Sequence, residues 1–363
     1  MSNKNRNFSI DYFRGLVIFS MIVVNTPGSW IHMFPFLKHA EWHGCNFPDL
    51  VFPAFIIVIG MSMSLSFNNY NNELSYPLIF KIFRRSLIIF LIGVALNWFP
   101  FYNKNIEELR VFGVLQRIAI TYLISSLIVV FAKFDTIKIF VTSSIMFFCY
   151  WLVLIAFTEN PFSLEMNVSK QIDSFLLNDS NLYRGFGIPF DPEGFLGSFS
   201  SSTQCLLGYI FGKIIFFKKA NSKIMISYSV LMILTGLMLN YLYPINKPLW
   251  TGSYVIFTSG IIFLGFFFID SLSKFNGLGY VKSFLRVFGS NSLMSFVLSI
   301  LLVKIFITLI RIDNVSLYSY VYNNFFYVFF EPSLGSFIYS IVFTLLVWLI
   351  MFLLDKKNIH VKI

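Results

Sequence analysis

The chain has 363 residues, of which 57% are hydrophobic and only 12% are charged, and 47 of them are phenylalanine. Soluble domains carry roughly a quarter charged residues, so this composition excludes soluble enzymes, nucleic-acid-binding proteins and secreted disulfide-rich domains. The formal charge of +10 fits the bias of Lys and Arg toward the cytoplasmic loops of membrane proteins. The composition therefore predicts an integral membrane protein with the lipid bilayer, and no nucleic acid, as its partner.

Apolar stretches of membrane-spanning length recur along the chain. A helix needs about 20 mostly apolar residues to cross the hydrocarbon core of a bilayer. The sequence predicts an all-α, polytopic integral membrane helix bundle, a single domain over residues 1–363, with about ten transmembrane helices at 10–29, 50–67, 82–100, 112–132, 138–157, 196–217, 224–243, 250–270, 284–310 and 336–354. An eleventh stretch, 317–330, contains two asparagines and is predicted as an aromatic interfacial or re-entrant segment.

The distribution of charge predicts the orientation of this bundle. If the N-terminus lies in the cytoplasm, most Lys and Arg residues fall in inside segments, whereas most Asp and Glu residues fall outside. Positive residues favour cytoplasmic loops, so we expect both termini to be cytoplasmic.

One connection is much longer than the others and lies outside in this orientation. Residues 158–195 are rich in acidic side chains, and a loop of this length is uncommon unless it is functional or disordered. Its end, Gly185 to Gly194, is rich in Gly and Pro. We expect an ordered extracytoplasmic binding loop that presents Asp191 and Glu193.

Several polar side chains interrupt the apolar stretches, where each is costly without a partner. Arg14 lies at the inner end of the first stretch; it is either an interfacial anchor or a contact for an anionic group such as phosphate. Arg117 lies deeper in the fourth stretch, beside Gln116, and predicts either an ion pair or a ligand contact. Gln204 in the sixth stretch and Asn291 in the ninth are similar cases, and hydrogen bonding between helices would also explain these two amides.

The densest polar cluster lies in the first outer loop, where His39, Glu41, His43 and Asp49 fall close together. The two histidines are at i and i+4 and would share one face of a helix, which allows a zinc site. Against zinc, there is no HExxH motif, and flanking Pro and Gly leave room for little regular helix; no metal is predicted. Two alternatives stay open: interfacial histidines bonded to nearby carboxylates, or general acid–base chemistry by an imidazole beside a carboxylate.

The same residues resemble a known family. The chain is similar to the heparan-α-glucosaminide N-acetyltransferase family, with bacterial relatives closer than the lysosomal member. The resemblance is carried by Ser9 to Leu16, Val24 to Trp30, Leu37 to Gly44, Pro48 to Phe55, Val111 to Arg117, Phe190 to Gly197, Asn246 to Thr251 and Gly289 to Ser292.

The resemblance implies a transmembrane acyltransferase that takes acetyl from cytoplasmic acetyl-CoA and delivers it to the amine of an amino sugar or glycan on the far side. The family's histidine lies in a Lys-His-Ala-x-Trp-x-Gly segment, here Lys38 to Gly44, which assigns catalysis to His39. The family's asparagine matches Asn25, whereas His43 stands where the lysosomal member has asparagine. The resemblance also implies a homodimer, and the closer bacterial relatives imply the bacterial inner (cytoplasmic) membrane.

A mechanism follows from these assignments as an expectation. His39 would act as general base, or as nucleophile through an acetyl-imidazole, and Glu41 or Asp49 would orient its ring. Asn25 and Trp42 are candidate hydrogen-bond donors to the thioester carbonyl or the oxyanion. The candidate contacts for acetyl-CoA are Arg14, Gln116, Arg117 and Asn291, and those for the acceptor are Trp42, His43, Asp191 and Glu193.

Two other functions remain as alternatives. A transporter or permease for an amino sugar or glycan fragment would also use many spans and intramembrane polar groups. Many transporters are built from internal repeats, and no repeat is apparent in this sequence, which favours the enzyme. A non-catalytic scaffold descended from such enzymes is the third interpretation.

Overall fold

The computed structural model describes residues 8–68, 70, 73–102, 105–218 and 221–359. Nearly all of the regular structure in this part of the chain is helical. The helices are α1 (Phe8–Asn25), α2 (Phe47–Asn68), α3 (Tyr76–Trp98), α4 (Val114–Phe131), α5 (Thr136–Ala156), α6 (Val168–Leu176), α7 (Gly197–Phe216), α8 (Ser222–Leu239), α9 (Gly252–Lys274), α10 (Gly279–Ser290), α11 (Ser292–Thr308), α12 (Leu317–Val321) and α13 (Pro332–Lys356).

A small hairpin and an irregular helical segment separate the last two long helices. The hairpin pairs β1 (Arg311–Ile312) with β2 (Val315–Ser316) in antiparallel register, Arg311 opposite Ser316. After α12, the chain continues as a π-helical turn over Tyr322–Phe326. The stretch 317–330 thus forms short helical pieces instead of one long membrane helix.

A helix lies at each of the ten stretches that the sequence predicts as spans. Among the described residues, seven helices (α1, α2, α4, α5, α8, α9 and α13) are long and apolar enough to cross a membrane, and α10 with α11 adds an eighth if this pair, bent by 81°, forms one span. Helices α3 and α7 are of similar length, 23 and 20 residues, but more polar. The structure supports a multi-pass helical membrane protein; the count of ten and the cytoplasmic termini stay predictions.

The described chain divides into two compact units. One contains the described parts of 1–40, 46–55 and 265–362, and the other contains 41–45 and the described parts of 56–264. Their boundaries fall inside α2 and α9 and inside the histidine-rich loop. The assignment of one domain over 1–363 stays a prediction.

In the first unit, α1 packs against α10 through direct backbone contact. A Cβ atom on Gly15 would lie 1.9 Å from the carbonyl oxygen of Leu285, and one on Gly289 would lie 2.0 Å from that of Asp11. Such distances are far inside van der Waals contact, so the absence of a side chain at these two positions sets the separation of the helices.

This packing predicts opposite effects for two glycine substitutions in the same unit. Gly15→Ala is expected to destabilise the protein by about 1–3 kcal/mol, because the helix backbones must move apart. Gly265→Ala is the matched control, because its Cβ would meet only the Phe13 ring at 3.7 Å, and alanine favours a helix by about 0.5–1 kcal/mol. Thermal unfolding in one detergent checks both; equal shifts would contradict the contact.

In the second unit, α7 is the most polar of the long buried helices. Hydroxyl side chains are buried along its first half: Ser198, Ser200, Ser201, Ser202 and Thr203. Ser201 Oγ lies 2.5 Å from Thr121 Oγ1 of α4, and Gln204 Nε2 donates to Thr258 Oγ1 of α9 at 2.9 Å. Hydrogen bonds of this kind satisfy polar groups that would otherwise face hydrocarbon.

Candidate active site

His39 and Asp49, ten residues apart, form a hydrogen-bonded pair in the first unit. His39 Nδ1 lies 2.6 Å from Asp49 Oδ1, and the side chains are 44% and 2% exposed, respectively. The histidine follows a short 3₁₀ turn, Pro35–Leu37, whereas the aspartate belongs to the first turn of α2. The pair therefore joins an accessible imidazole to a buried carboxylate.

The second oxygen of Asp49 holds the loop that carries the histidine. Asp49 Oδ2 accepts hydrogen bonds from the backbone N–H groups of Ala40 and Asn46, both at 3.0 Å. Asn46 Nδ2 donates to the carbonyl of Lys38 at 3.0 Å. Backbone donors and the N-terminus of α2 both stabilise a negative charge, so Asp49 is suited to remain ionised while it orients the ring.

This arrangement fixes the chemistry available to the imidazole. A carboxylate at Nδ1 favours the tautomer with its proton on that atom, which puts the lone pair on Nε2. The ring is then able to accept a proton or attack a carbonyl carbon, and Asp49 stabilises the imidazolium. Sequence reasoning left Glu41 and Asp49 as alternative partners; the structure gives Asp49 this contact, and Glu41 is exposed.

Trp42 lies in the second unit, where the long loop holds its indole ring. Its Nε1 donates to the carbonyl of Phe162 at 2.7 Å, and the ring makes edge contacts with Phe186 and Phe190 at centroid distances of 5.8 and 5.5 Å. The only N–H of the ring is therefore engaged, so it is not available to a thioester or an oxyanion in this structure, unlike the expectation from sequence. The aromatic surface of Trp42 remains its candidate contribution.

Asn246 anchors the backbone next to Trp42 and contacts the following histidine. Its Nδ2 donates to the carbonyl of Trp42 at 2.9 Å and lies 3.3 Å from His43 Nδ1. Gly44 N donates to the carbonyl of Ile245 at 2.7 Å. Burial lowers the pKa of His43 below its ordinary value, which favours the neutral ring. From the sequence, Asn246 belongs to a segment that resembles the family, but no binding or catalytic role is predicted for it.

The predicted acceptor-binding acids, Asp191 and Glu193, are both bound by Arg110. Arg110 Nε and Nη2 donate to the two carboxylate oxygens of Asp191, each at 2.8 Å, and Nη2 also donates to Glu193 Oε2 at 2.6 Å. Burial alone would lower the pKa of Arg110, but the two carboxylates raise it above its ordinary value. Sequence reasoning treated Arg110 as a loop charge only, because nothing local pairs it with residues 81 positions away.

Arg117 and Gln116 are fully buried near the start of α4. Arg117 Nη2 donates to the carbonyl of Gly194 at 3.0 Å, and its guanidinium lies 5.1 Å from the centre of the Trp250 ring. Trp250 Nε1 in turn donates to Gln204 Oε1 at 3.1 Å. The buried guanidinium of Arg117 thus contacts a backbone carbonyl and an aromatic face instead of a close carboxylate.

The other candidate residues lie in the first unit. Arg14 Nη1 donates to Asp11 Oδ1 at 3.2 Å and to the carbonyl of Gly289 at 3.1 Å. Asn291 stands at the bend between α10 and α11 and donates to the carbonyl of Ile359 at 3.2 Å. Gly289 and Asn291 are two residues apart, so the structure brings Arg14 to this bend. Asn25 Nδ2 donates within its own helix, to the carbonyl of Met21 at 2.7 Å.

The zinc interpretation gains nothing from the described residues. Within them, no group of three or more His, Cys, Asp and Glu side chains lies close enough to hold a metal ion. The carboxylate of Asp49 orients the His39 ring, and the backbone N–H of Ala40 in turn holds that carboxylate.

Comparison with known proteins adds an independent line of argument. A family model described as heparan-alpha-glucosaminide N-acetyltransferase, catalytic, matches residues 6–179, a range that includes both His39 and Asp49. The human heparan-alpha-glucosaminide N-acetyltransferase is 27% identical over 322 residues, which cover 70% of this chain and 47% of the human protein. The mouse protein of the same name is 27% identical over 361 residues, covering 82% and 53%.

The chain spans about half the length of these curated relatives. Within that shared part, the matched residues include the loop that carries the histidine pair and the helix that carries Arg117. Over these residues the chain is similar to the heparan-α-glucosaminide N-acetyltransferase family.

Proposed function

We propose that the protein is a transmembrane N-acetyltransferase that moves an acetyl group from cytoplasmic acetyl-CoA to the amine of an amino sugar or glycan on the extracytoplasmic side. The observation that carries this proposal is the 2.6 Å contact between His39 Nδ1 and the buried carboxylate of Asp49. Similarity to an acetyltransferase family and several apolar helices support it. We further propose a multi-pass homodimer in the inner membrane of a bacterium.

The chemistry assigned to His39 is proton transfer during attack on the thioester. The acceptor amine attacks the acetyl carbonyl carbon, Nε2 of His39 takes a proton from the amine, and an N–C bond forms. As the tetrahedral intermediate collapses, the C–S bond breaks and the imidazolium returns the proton to the thiolate of CoA. Asp49 stabilises the positive ring between these two steps.

A covalent route uses the same pair of side chains. Nε2 attacks the thioester, the C–S bond breaks and CoA leaves as the thiolate; the acetyl-imidazolium, stabilised by Asp49, then transfers its acetyl group to the amine, and the proton that the amine loses neutralises the thiolate. Because both routes need the lone pair on Nε2, the contact between His39 and Asp49 serves either one. Acetyl-histidine trapped after incubation with acetyl-CoA alone would identify the covalent route.

The remaining side chains are proposed to bind the two substrates. Asn25 is kept as the candidate donor to the thioester carbonyl, through the N–H that does not bond Met21. Trp42 offers an aromatic face to a sugar ring, with His43, Asp191 and Glu193 as further acceptor contacts. For acetyl-CoA, the partly exposed guanidinium of Arg14 suits a phosphate, together with Asn291, Gln116 and Arg117.

Calorimetry of acetyl-CoA binding to detergent-purified protein tests the proposal. For the wild type we expect a dissociation constant on the order of 1 μM. His39→Ala should bind acetyl-CoA equally well, because the histidine is proposed to act in the chemical step. Arg117→Ala should bind acetyl-CoA more weakly, because the arginine is proposed to contact it. Thermal unfolding checks that each variant is folded. Absence of binding to any acyl-CoA by folded protein, together with saturable sugar uptake into vesicles, would overturn the enzyme in favour of a transporter.

A further inference from the structure

A groove between α3 and α4 opens at the surface of the second unit. Its volume is about 580 Å³, within the range of about 300–1,000 Å³ that ligand pockets occupy. Its walls are apolar except at Arg84 and Ser86 of α3. Ser86 Oγ is buried and donates to the carbonyl of Ala119 at 2.8 Å, so Arg84 is the polar group that the groove offers to a ligand.

Helix α3 carries an exposed apolar stripe along this groove. Phe80, Phe83, Leu87 and Leu91 are spaced by three or four residues, and each is 50–58% exposed. The first three also line the groove. In the predicted topology α3 crosses the membrane, so the stripe faces lipid tails, which are as apolar as these side chains. The groove is therefore open to the bilayer, and its walls suit an acyl chain.

The α3 side of the groove is positively charged. Lys81, Arg84 and Arg85 lie close together, whereas neither α3 nor α4 contains Asp or Glu. Lys81 Nζ donates to Ser66 Oγ at 3.3 Å, and the Arg85 guanidinium lies 4.8 Å from the centre of the Tyr122 ring. Arg84 is exposed, and within the described part of the chain no hydrogen bond or ion pair holds its guanidinium. A cation beside lipid is costly without a partner, so this groove favours a ligand that supplies negative charge.

The two properties of the groove are those of an anionic phospholipid. A guanidinium donates two parallel hydrogen bonds to the oxygens of a phosphate, and the apolar walls cover a hydrocarbon tail. The net positive charge of α3 favours a headgroup with a net negative charge over a zwitterionic one, whose ammonium group it repels. Basic pockets between transmembrane helices near the cytoplasmic surface bind the headgroups of anionic lipids, and the predicted topology places Arg84 at the cytoplasmic end of α3.

We propose that the groove between α3 and α4 is a binding site for an anionic phospholipid, with the phosphate on Arg84 and an acyl chain between the two helices. The site is separate from the residues assigned to acetyl transfer, and its test needs no substrate of that reaction.

Thermal unfolding of the detergent-purified protein measures this binding, because a ligand that binds only the folded state raises Tm with its concentration. Phosphatidylglycerol is expected to raise the Tm of the wild type by several degrees. Phosphatidylcholine with the same acyl chains should raise it less, since only its headgroup differs. Glycerol phosphate, which has the charge but no acyl chain, should leave Tm unchanged at the same concentration.

Three variants separate the charge from the groove. Arg84→Gln is expected to weaken the apparent affinity for phosphatidylglycerol about fivefold, the effect of one cation on an anionic lipid. Lys138→Gln is the matched control: it removes an exposed cation from α5 of the same unit and should bind as the wild type does. Leu87→Trp enlarges an exposed side chain of the groove wall and should also weaken binding, because it occupies the space of the acyl chain.

Each comparison can contradict the proposal. Equal affinities of the wild type and Arg84→Gln for phosphatidylglycerol, or equal responses of the wild type to the two phospholipids, would overturn the headgroup contact. An unchanged affinity in Leu87→Trp would overturn the placement of the acyl chain. A rise in Tm with glycerol phosphate as large as that with phosphatidylglycerol would show a site for free phosphate instead of a lipid.

Discussion

Replacing His39 by alanine is expected to abolish acetyl transfer without unfolding the protein. The ring is 44% exposed, and Asp49 keeps its two backbone hydrogen bonds when the ring is removed. Loss of a general base alone lowers the rate by about 10²–10⁴, and loss of a nucleophile removes the reaction path. Transfer of labelled acetyl by purified protein in vesicles measures the effect, and near wild-type turnover would exclude His39 as the catalytic residue.

Asp49→Asn tests the partner of this histidine in the same assay. The amide keeps the size of the side chain but no longer favours a proton on Nδ1, so the rate is expected to fall by up to about 10⁴. Glu41→Gln is the comparison, because sequence reasoning gave both acids the same candidate role and only Asp49 contacts the ring. A larger loss for Glu41→Gln than for Asp49→Asn would contradict the pair that the structure shows.

The largest effect on stability is expected from Arg110→Met. The change leaves Asp191 buried without its bidentate partner, and breaking a buried pair from one side costs about 3–5 kcal/mol. Thermal unfolding of the purified protein measures the loss, which we expect as a decrease of several degrees in Tm.

Arg184→Met provides the matched control for this stability effect. Arg184 is exposed and lies in the same loop, so its substitution should change stability by no more than about 0.5 kcal/mol. A partial recovery is expected in the double variant Arg110→Met/Asp191→Asn, because the uncompensated charge is then removed. Equal Tm values for the two single variants would show that the contact of Arg110 contributes nothing to the fold.

Hydropathy located the helices well because each transmembrane helix forms its backbone hydrogen bonds within one segment. All ten predicted stretches contain helix, including α3 and α7, which are too polar to qualify as spans by composition and length alone. The 81° bend between α10 and α11 was not predicted. The stretch 284–310 is long enough for one span, and its polar residues do not by themselves predict a break at Asn291, which the structure stabilises by tertiary contacts such as the one with Ile359.

The candidate site was predictable only where its partners are close in the chain. His39 and Asp49 are ten residues apart, and both were named from one short segment. The sequence makes Trp42 a candidate donor to the thioester or the oxyanion, and no local pattern indicates the acceptor in the structure, the carbonyl of Phe162, which is 120 residues away. Arg110 has no predicted site role for the same reason: its contacts join separate segments of the chain.

Helix α7 has a consequence for the biosynthesis of the protein. Its hydroxyl and amide side chains would meet lipid if the helix entered the bilayer alone, and insertion of polar residues by the translocon is unfavourable. Thr121 of α4 is synthesised before α7, whereas Thr258, which bonds Gln204, comes later on α9. As the predicted sixth span, α7 would therefore enter the membrane against helices already present, and its contact with Thr258 would be completed only when α9 arrives. Assembly of the predicted bundle would thus be coupled across several rounds of insertion.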